Sequence, residues 1–205
     1  MKTFLRATFL SSLILATGVA QAEWSANAGF ASEYYYRGFF QKESSASAGI
    51  DYENNGFYAG TWAADVGDGL EVDGYLGYGA DVGDVSLSVG FTGYYYTGDF
   101  DDTYQEINLG AAFNIFSVDV ALGEYDNFDG PTQDYTFYSL TAEKNGFYGK
   151  YAGFSQDAEG SYFEFGYGVT VAEIDLGISL IFADEDIAGE SDEAIVFTIG
   201  KSFDL

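Results

Sequence analysis

The residues of this chain that could do chemistry are almost all carboxylates. The sequence has 33 Asp and Glu against seven Lys and Arg, with no His and no Cys. Without His and Cys, the usual general bases, nucleophiles and soft metal ligands are missing. A carboxylate pair could still hydrolyse glycosidic bonds, but no spacing here points to such a pair. The composition therefore predicts no enzyme, no cofactor and no metal site.

Seven of the carboxylates occupy polar positions in segments where polar and apolar residues alternate: Asp51, Asp73, Asp81, Glu106, Asp119, Glu164 and Asp175. A period of two is typical of a strand with one polar and one apolar face. If the polar faces line one interior, these carboxylates line a pore and concentrate cations there. Arg37 is expected at the mouth, and Lys150 could join the lining. For any single carboxylate, hydration or pairing with a neighbour is the simpler role.

Twelve alternating segments follow one another along the chain. They cover residues 24–30, 45–52, 57–65, 72–81, 85–92, 106–113, 118–123, 135–143, 147–155, 162–169, 174–182 and 194–205. Most are long enough to cross a bilayer as tilted strands. The two segments at 135–143 and 147–155 have ambiguous facing, because aromatic residues fall on both of their faces.

The connections between these segments alternate between short and long. Short turns fall at 54–56, 82–84, 114–116, 144–146 and near Ala172, and the longer polar loops fall between them. Outer-membrane barrels have short periplasmic turns and longer outer loops. The pattern predicts an all-β chain, with residues 23–205 forming one antiparallel transmembrane β-barrel of twelve strands and periplasmic termini.

The last segment carries a second indication of a barrel. Its apolar residues alternate with small or polar ones, and the chain ends on them. Thr198, Gly200, Phe203 and Leu205 resemble the C-terminal insertion signal of bacterial outer-membrane barrels, although that signal usually ends in Phe. The resemblance implies periplasmic chaperones and the barrel-assembly machinery as partners. An edge strand of a soluble sandwich is the alternative, but its long apolar row would favour aggregation.

Residues 1–22 have the organisation of a secretory signal peptide. Lys2 and Arg6 precede an apolar stretch, and Ala20 to Ala22 form a small-x-small cleavage site. The mature chain should begin at Glu23. Both basic residues leave with the signal, so five basic and 33 acidic residues remain, a net charge of −28. Such a charge excludes nucleic acid as a partner.

Aromatic residues are expected to form two girdles at the membrane interfaces. Trp24, Phe57, Phe113 and Phe147 lie near the short turns, and two tyrosine triplets, 34–36 and 94–96, lie at the opposite ends of their segments. The girdle residues predicted here are Trp24, Tyr34, Tyr35, Tyr36, Phe57, Tyr94, Tyr95, Tyr96, Phe113 and Phe147.

The first third of the chain also carries family motifs. Residues 31–41 read A-S-E-Y-Y-Y-R-G-F-F-Q, and G-I-D-Y (49–52), G-F-Y-A-G-T-W (56–62) and E-V-D-G-Y (71–75) follow. These resemble the TorF family of proteobacterial porins over about residues 27–79. Members often have Ser-Asn after G-T-W, where this chain has Ala63 and Ala64. The resemblance implies an exported barrel of the bacterial outer membrane and brings no catalytic residues.

Two functions are consistent with these features. The first is a porin-like channel in outer-membrane lipid for passive diffusion of small solutes, with a preference for cations. The second is a structural or adhesive barrel whose lumen is filled, with inward tyrosines such as Tyr75 and Tyr162 as the filling. Twelve strands lie between filled eight-stranded barrels and open sixteen-stranded porins. The sequence carries no signal for a particular solute or oligomeric state.

Overall fold

A computed structural model describes residues 23–188 and 192–205, which form a closed antiparallel barrel of twelve strands with one small hairpin. The predicted signal peptide, 1–22, lies outside the described residues. The barrel strands are β1 (Glu23–Ala31), β4 (Ser45–Asn54), β5 (Phe57–Gly67), β6 (Gly69–Val82), β7 (Val85–Tyr96), β8 (Tyr104–Phe113), β9 (Phe116–Tyr125), β10 (Gln133–Lys144), β11 (Phe147–Gln156), β12 (Ser161–Val171), β13 (Ile174–Ala183) and β14 (Asp192–Asp204). The predicted fold class is confirmed.

Each barrel strand pairs with its neighbour along the chain, and β1 closes the ring. Ala28 of β1 lies opposite Ala48 of β4 on one side and Lys201 of β14 on the other. Glu23 and Leu205 therefore lie at the same rim, which we call the terminal rim, and the opposite end is the loop rim. Closure leaves no edge strand with unpaired backbone groups, which is what a bilayer requires.

Two-residue turns join the strands at the terminal rim. Asn55 and Gly56 both have positive φ angles, as do Asn145 and Gly146. This geometry belongs to type I′ hairpin turns, which match the twist of the flanking strands and favour Asn-Gly. Most connections at the loop rim are longer, and one contains a single-turn helix, α1 (Glu185–Ala188). The exception is the connection between β5 and β6, which consists of Asp68 alone. In the part of the chain described by the structure, no helix has the length and apolar character needed to span a membrane.

Apolar side chains cover the outside of the barrel, and small or polar ones face inward. On β7, Leu87 and Val89 are exposed while Ser88 and Gly90 face the lumen. This arrangement is the reverse of a soluble domain and is the one expected in lipid. The two ambiguous segments also alternate between the faces: Ser139 of β10 and Lys150 and Ala152 of β11 point inward. Phe137 of β10 is a large apolar side chain that points inward as well.

The connection between β1 and β4 forms an element that the twelve-strand reading did not include. Strands β2 (Tyr34–Tyr36) and β3 (Phe39–Lys42) pair with each other and with no barrel strand. We call residues 32–44 the inner hairpin, because its side chains pack inside the barrel. Tyr35 and Phe39 contact a cluster that includes Phe137, Ala152 and Tyr162. The loop-rim half of the lumen is thus a packed core.

Candidate functional site

The candidate functional site is the seat of the inner hairpin in the lumen. The hairpin turns at Arg37 and Gly38, both with positive φ angles. A Cβ atom on Gly38 would lie 2.9 Å from a ring carbon of Tyr162, which is 2% exposed. Only glycine combines this backbone geometry with such a close approach. The tip of the hairpin therefore lies directly on the barrel wall at β12.

Arg37 forms a two-pronged ion pair with Glu106 of β8. One guanidinium nitrogen donates to Glu106 Oε1, and Nη2 donates to Oε2 at 3.0 Å. Glu106 also accepts hydrogen bonds from Tyr94 (3.0 Å), Tyr135 (2.8 Å) and Asn108 (2.9 Å). The guanidinium carbon lies 4.0 Å from the centre of the Phe137 ring, a cation–π contact. Ion pair and ring together fix the plane of the guanidinium.

Two further contacts hold the strands of the hairpin. The Tyr34 hydroxyl donates to Glu71 Oε1 at 2.6 Å, and Tyr96 donates to the other oxygen at 3.1 Å. On the second strand, Lys42 pairs with Asp65 of β5. The hairpin carries two of the five basic residues in the described chain, Arg37 and Lys42, and each meets an acid of the wall.

Three acidic side chains of the wall are completely enclosed by this arrangement. Glu71, Asp73 and Glu106 are each 1% exposed. Glu71 and Glu106 accept the hydrogen bonds given above. Asp73 has no hydrogen-bond partner on either carboxylate oxygen among the described residues. It faces inward between Trp62 of β5 and Tyr94 of β7, its cross-strand neighbours.

Burial of Asp73 and Glu106 bears on their predicted role. Both lie on the inner face, but the hairpin covers them, so they do not border free lumen in this conformation. Glu71 lies on the same inner face two residues before Asp73, but it is not among the predicted lining residues. Its position in the alternation was the signal that could have identified it.

The other five predicted lining carboxylates are also on the inner face. Asp51 accepts hydrogen bonds from Asn27 at 3.2 Å and from Tyr75, and Asp119 accepts one from Ser139 at 3.2 Å. Glu164 accepts one from Tyr148 and lies 3.6 Å from the Lys150 ammonium. These three are partnered within the wall.

The remaining two lie near the terminal rim. Asp81 accepts a hydrogen bond from Ser86, and Asp175 accepts one from Thr170, both at 2.6 Å. Seven inward carboxylates are thus divided between a covered group under the hairpin and a more accessible group below it.

A cavity of about 200 Å³ lies beside the hairpin and is lined mainly by β10 to β14, with further residues from β1, β4 and β5. Its lining extends from the Gly146 turn at the terminal rim to Glu33 and Arg37 of the hairpin. The charged residues of the lining are Glu33, Arg37, Glu143, Lys150, Glu164 and Asp175. Acids outnumber bases in this set by four to two. The charged part of the cavity lining is therefore mainly acidic.

The tyrosine triplets do not belong to a lipid-facing girdle, and that prediction is wrong for five of their six residues. Tyr34 and Tyr94 are 8% and 6% exposed. Tyr36 and Tyr96 pack around them, and Tyr35 packs on the inner cluster. Consecutive residues of a strand must alternate faces, so only Tyr95 of the second triplet points outward, where it is half exposed. The first triplet lies on the inner hairpin.

Aromatic side chains at the terminal rim do point outward. Trp24, Phe57, Phe113 and Phe147 are all exposed on the outer face. Phe203 and Leu205 of the predicted assembly signal are exposed at the same rim, whereas Thr198 and Gly200 lie on the inner face. No group of three or more acidic residues within the described ranges has the arrangement of a metal site.

A family model matches residues 15–203, and the chain belongs to that family, a bacterial family of unknown function called Gcw_chp. The family carries this description and not the TorF name. No curated protein is significantly similar to the chain.

Solved barrels share the fold. The NanC porin superposes with a TM-score of 0.52 at 12% identity, over 89% of this chain and 100% of that one. A structure from a study of in-meso crystallization of membrane proteins gives a TM-score of 0.58 at 9% identity, over 89% and 84% of the two chains. The chain spans little more than half of Pseudomonas aeruginosa OccK1, with 58% of that chain covered at a TM-score of 0.38 and 15% identity.

Proposed function

We propose that this chain is a narrow channel of the bacterial outer membrane through which small solutes diffuse, and that it prefers cations. The apolar exterior of the closed barrel supports placement in lipid, and the NanC barrel of similar fold is a porin. The motifs of the first third support membership of the TorF porins. The proposal also includes export by a signal peptide over residues 1–22 and a periplasmic location of the two termini.

The observation that carries the proposal is the cavity beside the inner hairpin, whose charged lining residues are mainly acidic. A water molecule occupies about 30 Å³ of liquid, so the cavity of about 200 Å³ admits several waters or one small solute. It reaches from the terminal rim to the hairpin. A filled eight-stranded barrel has no such space.

The charges of this cavity support the preference for cations. Lys150 is neutralised by Glu164, and Arg37 by Glu106. Glu33, Glu143 and Asp175 have no basic partner among the described residues. In a cavity with low-dielectric walls, unpaired carboxylates raise the local cation concentration and exclude anions.

The packed inner hairpin favours a second candidate, a structural barrel that does not conduct. Tyr34, Phe137 and Tyr162 fill the loop-rim half as a core would. In the channel proposal the hairpin must withdraw, or solutes must pass beside it. In the structural proposal it never moves.

Reversal potentials in a potassium chloride gradient test the preference. Purified protein is placed in a planar bilayer, and the sign of the zero-current potential identifies the more permeant ion. We expect cation preference that weakens as salt rises, because charges are screened beyond about 10 Å at 0.1 M. An anion preference would overturn the charge argument, and a complete lack of conductance would favour the structural barrel.

Neutralising the accessible acids should reduce the preference. Glu143→Gln with Asp175→Asn removes two unpaired lining charges while Glu164, paired with Lys150, remains. As a matched control, Glu124→Gln and Asp134→Asn change exposed acids outside the cavity lining. We expect the lining variant alone to shift the reversal potential toward zero.

A further inference from the structure

The partners of the Arg37 guanidinium belong almost entirely to the barrel wall. Glu106 of β8 and Phe137 of β10 contact the guanidinium. Tyr94 of β7, Asn108 of β8 and Tyr135 of β10 donate hydrogen bonds to Glu106 and complete the group. We call these five residues the guanidinium seat. The hairpin adds only Tyr36, whose ring centre lies 5.0 Å from the guanidinium carbon. The seat therefore remains part of the barrel when the hairpin is elsewhere.

The seat is organised independently of Arg37. Three donors, from Tyr94, Tyr135 and Asn108, fix the Glu106 carboxylate. Thr92 donates to Asn108 Oδ1 at 2.8 Å and thereby sets the orientation of that amide. A fixed carboxylate beside an aromatic face matches the planar fork of a guanidinium better than it matches a compact ammonium. The arrangement is a preformed receptor for that group.

A second acidic side chain lies close to the seat. Asp73 is enclosed near Arg37 and Glu106 and interacts electrostatically with both. Both of its oxygens lack hydrogen-bond partners within the described part of the chain. A buried carboxyl group without partners is unfavourable in its charged form. The attraction of the seat for a cation therefore rests on Glu106, whose carboxylate faces the guanidinium.

The cavity gives solutes access to this region. Arg37, Gly38 and Tyr34 of the inner hairpin form its end wall. A solute that enters from the terminal rim therefore meets the hairpin at the residue that occupies the seat.

We propose that the guanidinium seat binds small solutes that carry a guanidinium group, and that such a solute replaces Arg37 when the inner hairpin withdraws. Arg37 is then a tethered occupant that closes the loop-rim half of the lumen in the absence of solute. The proposal rests on the proposed function in that the solute arrives through the lumen. It names the solute class and the element that the solute displaces.

Vacating the seat gives the first test. Arg37→Ala leaves the seat empty, and free guanidinium chloride should then bind and stabilise the folded barrel in detergent. Sodium chloride and tetramethylammonium chloride at the same concentrations are the comparison salts. We expect saturable stabilisation by guanidinium alone. Its half-saturating concentration should be at least about tenfold lower than in the wild type, where tethered Arg37 competes at an effective concentration in the millimolar range.

The double variant Arg37→Ala with Glu106→Gln is the matched control, because it empties the seat and removes its charge. It should show no response to guanidinium beyond that to sodium. Equal responses of the single and double variants would overturn the proposal, as would equal effects of guanidinium and tetramethylammonium on the single variant.

A second variant keeps Arg37 in place, in case Arg37→Ala does not fold. Tyr162→Cys puts a thiol under the hairpin tip in a chain without other cysteines. Displacement of Arg37 should expose this thiol, so guanidinium should accelerate its reaction with a maleimide several-fold over equimolar sodium chloride. The salts are compared up to about 50 mM, where denaturation by guanidinium is small. An unchanged labelling rate would overturn displacement.

These measurements distinguish guanidinium binding at the seat from conduction through the channel. Saturable guanidinium binding in a protein without conductance would support the seat and contradict the proposed function. Conductance without any effect of guanidinium on stability or labelling would support the channel and contradict the seat.

Discussion

At the scale of single residues, the contacts of Glu106 decide how the inner hairpin is held. Its carboxylate is completely enclosed and receives two bonds from Arg37 and three from wall residues. Removing one partner of a buried ion pair leaves an uncompensated charge, which costs much more than the pair itself is worth. The Arg37–Glu106 pair should therefore dominate the energetics of the hairpin.

Arg37→Ala should lower the free energy of unfolding by about 3 to 5 kcal/mol, the range measured for broken buried pairs. Adding Glu106→Gln should recover part of the loss, because that variant no longer buries the unpaired charge. Urea unfolding in detergent is measured for the wild type, Arg37→Ala, Glu106→Gln and the double variant. The four free energies of unfolding give the coupling energy between the two residues.

Lys201→Ala is the control at an exposed site. Lys201 pairs with Glu173 at 3.0 Å, and the Glu173 side chain is 84% exposed. Exposed pairs contribute about 0 to 1 kcal/mol. Similar losses in Arg37→Ala and Lys201→Ala would contradict a dominant role for the buried pair.

At the scale of elements, the inner hairpin is a separate two-stranded sheet inside a closed wall. It is joined to the wall by side chains and not by a ladder of backbone hydrogen bonds. Its withdrawal therefore leaves every barrel strand paired. The hairpin is the element whose movement could change conductance without opening the barrel.

A disulfide between the hairpin tip and β12 should lock it. A Cβ at Gly38 lies 3.3 Å from the Cβ of Tyr162, close to the roughly 3.5 to 4.5 Å of natural disulfides. We expect Gly38→Cys with Tyr162→Cys to conduct less when oxidised and to recover in reductant. The two single-cysteine variants, with and without reductant, are controls. Equal currents in the oxidised and reduced double variant would show that conduction needs no hairpin movement.

The closing strand β14 provides a test of the barrel itself. Phe203 is exposed on the outer face, while Ser202 lies opposite Asn27, whose side chain points inward to Asp51. Phe203→Asp with Leu205→Asp should abolish folded protein in the membrane fraction, because charge on the lipid face is unfavourable. Ser202→Asp should assemble normally. Heat-modifiable mobility of membrane extracts measures both, and a folded double variant would contradict the lipid-facing assignment.

At the scale of the whole molecule, the barrel combines an apolar exterior with an acidic interior. The interior can tolerate this charge because polar donors and a few bases satisfy it locally. The chain carries far more acid than base, so we expect the lumen and loops together to attract cations over long distances.

The predicted mature protein begins at Glu23. Ala20 and Ala22 provide the small residues that the signal peptidase requires. Intact-mass measurement of protein extracted from membranes should give the mass of residues 23–205. A mass that includes Lys2 and Arg6 would contradict cleavage at this site.

The sequence alone determined the barrel, because alternation of period two is a local property of each strand. Ser86 to Phe91 already separates its two faces, and Asn55-Gly56 and Asn145-Gly146 already specify tight turns. The same alternation places Tyr94 and Tyr96 inside, which contradicts the prediction that the whole triplet belongs to a girdle. Strand number, turn sorting and inward carboxylates all follow from near neighbours along the chain.

Only the tertiary structure decided what fills the lumen. Nothing in residues 32–44 specifies an inward fold, because the residues that hold the hairpin are far away in sequence. Arg37 meets Glu106, which is 69 positions further on, and Gly38 lies on Tyr162. These contacts exist only after the ring of strands closes and brings β6, β8, β10 and β12 around one space. Closure thereby converts a predicted mouth loop into a plug and covers carboxylates that the sequence placed in an open pore.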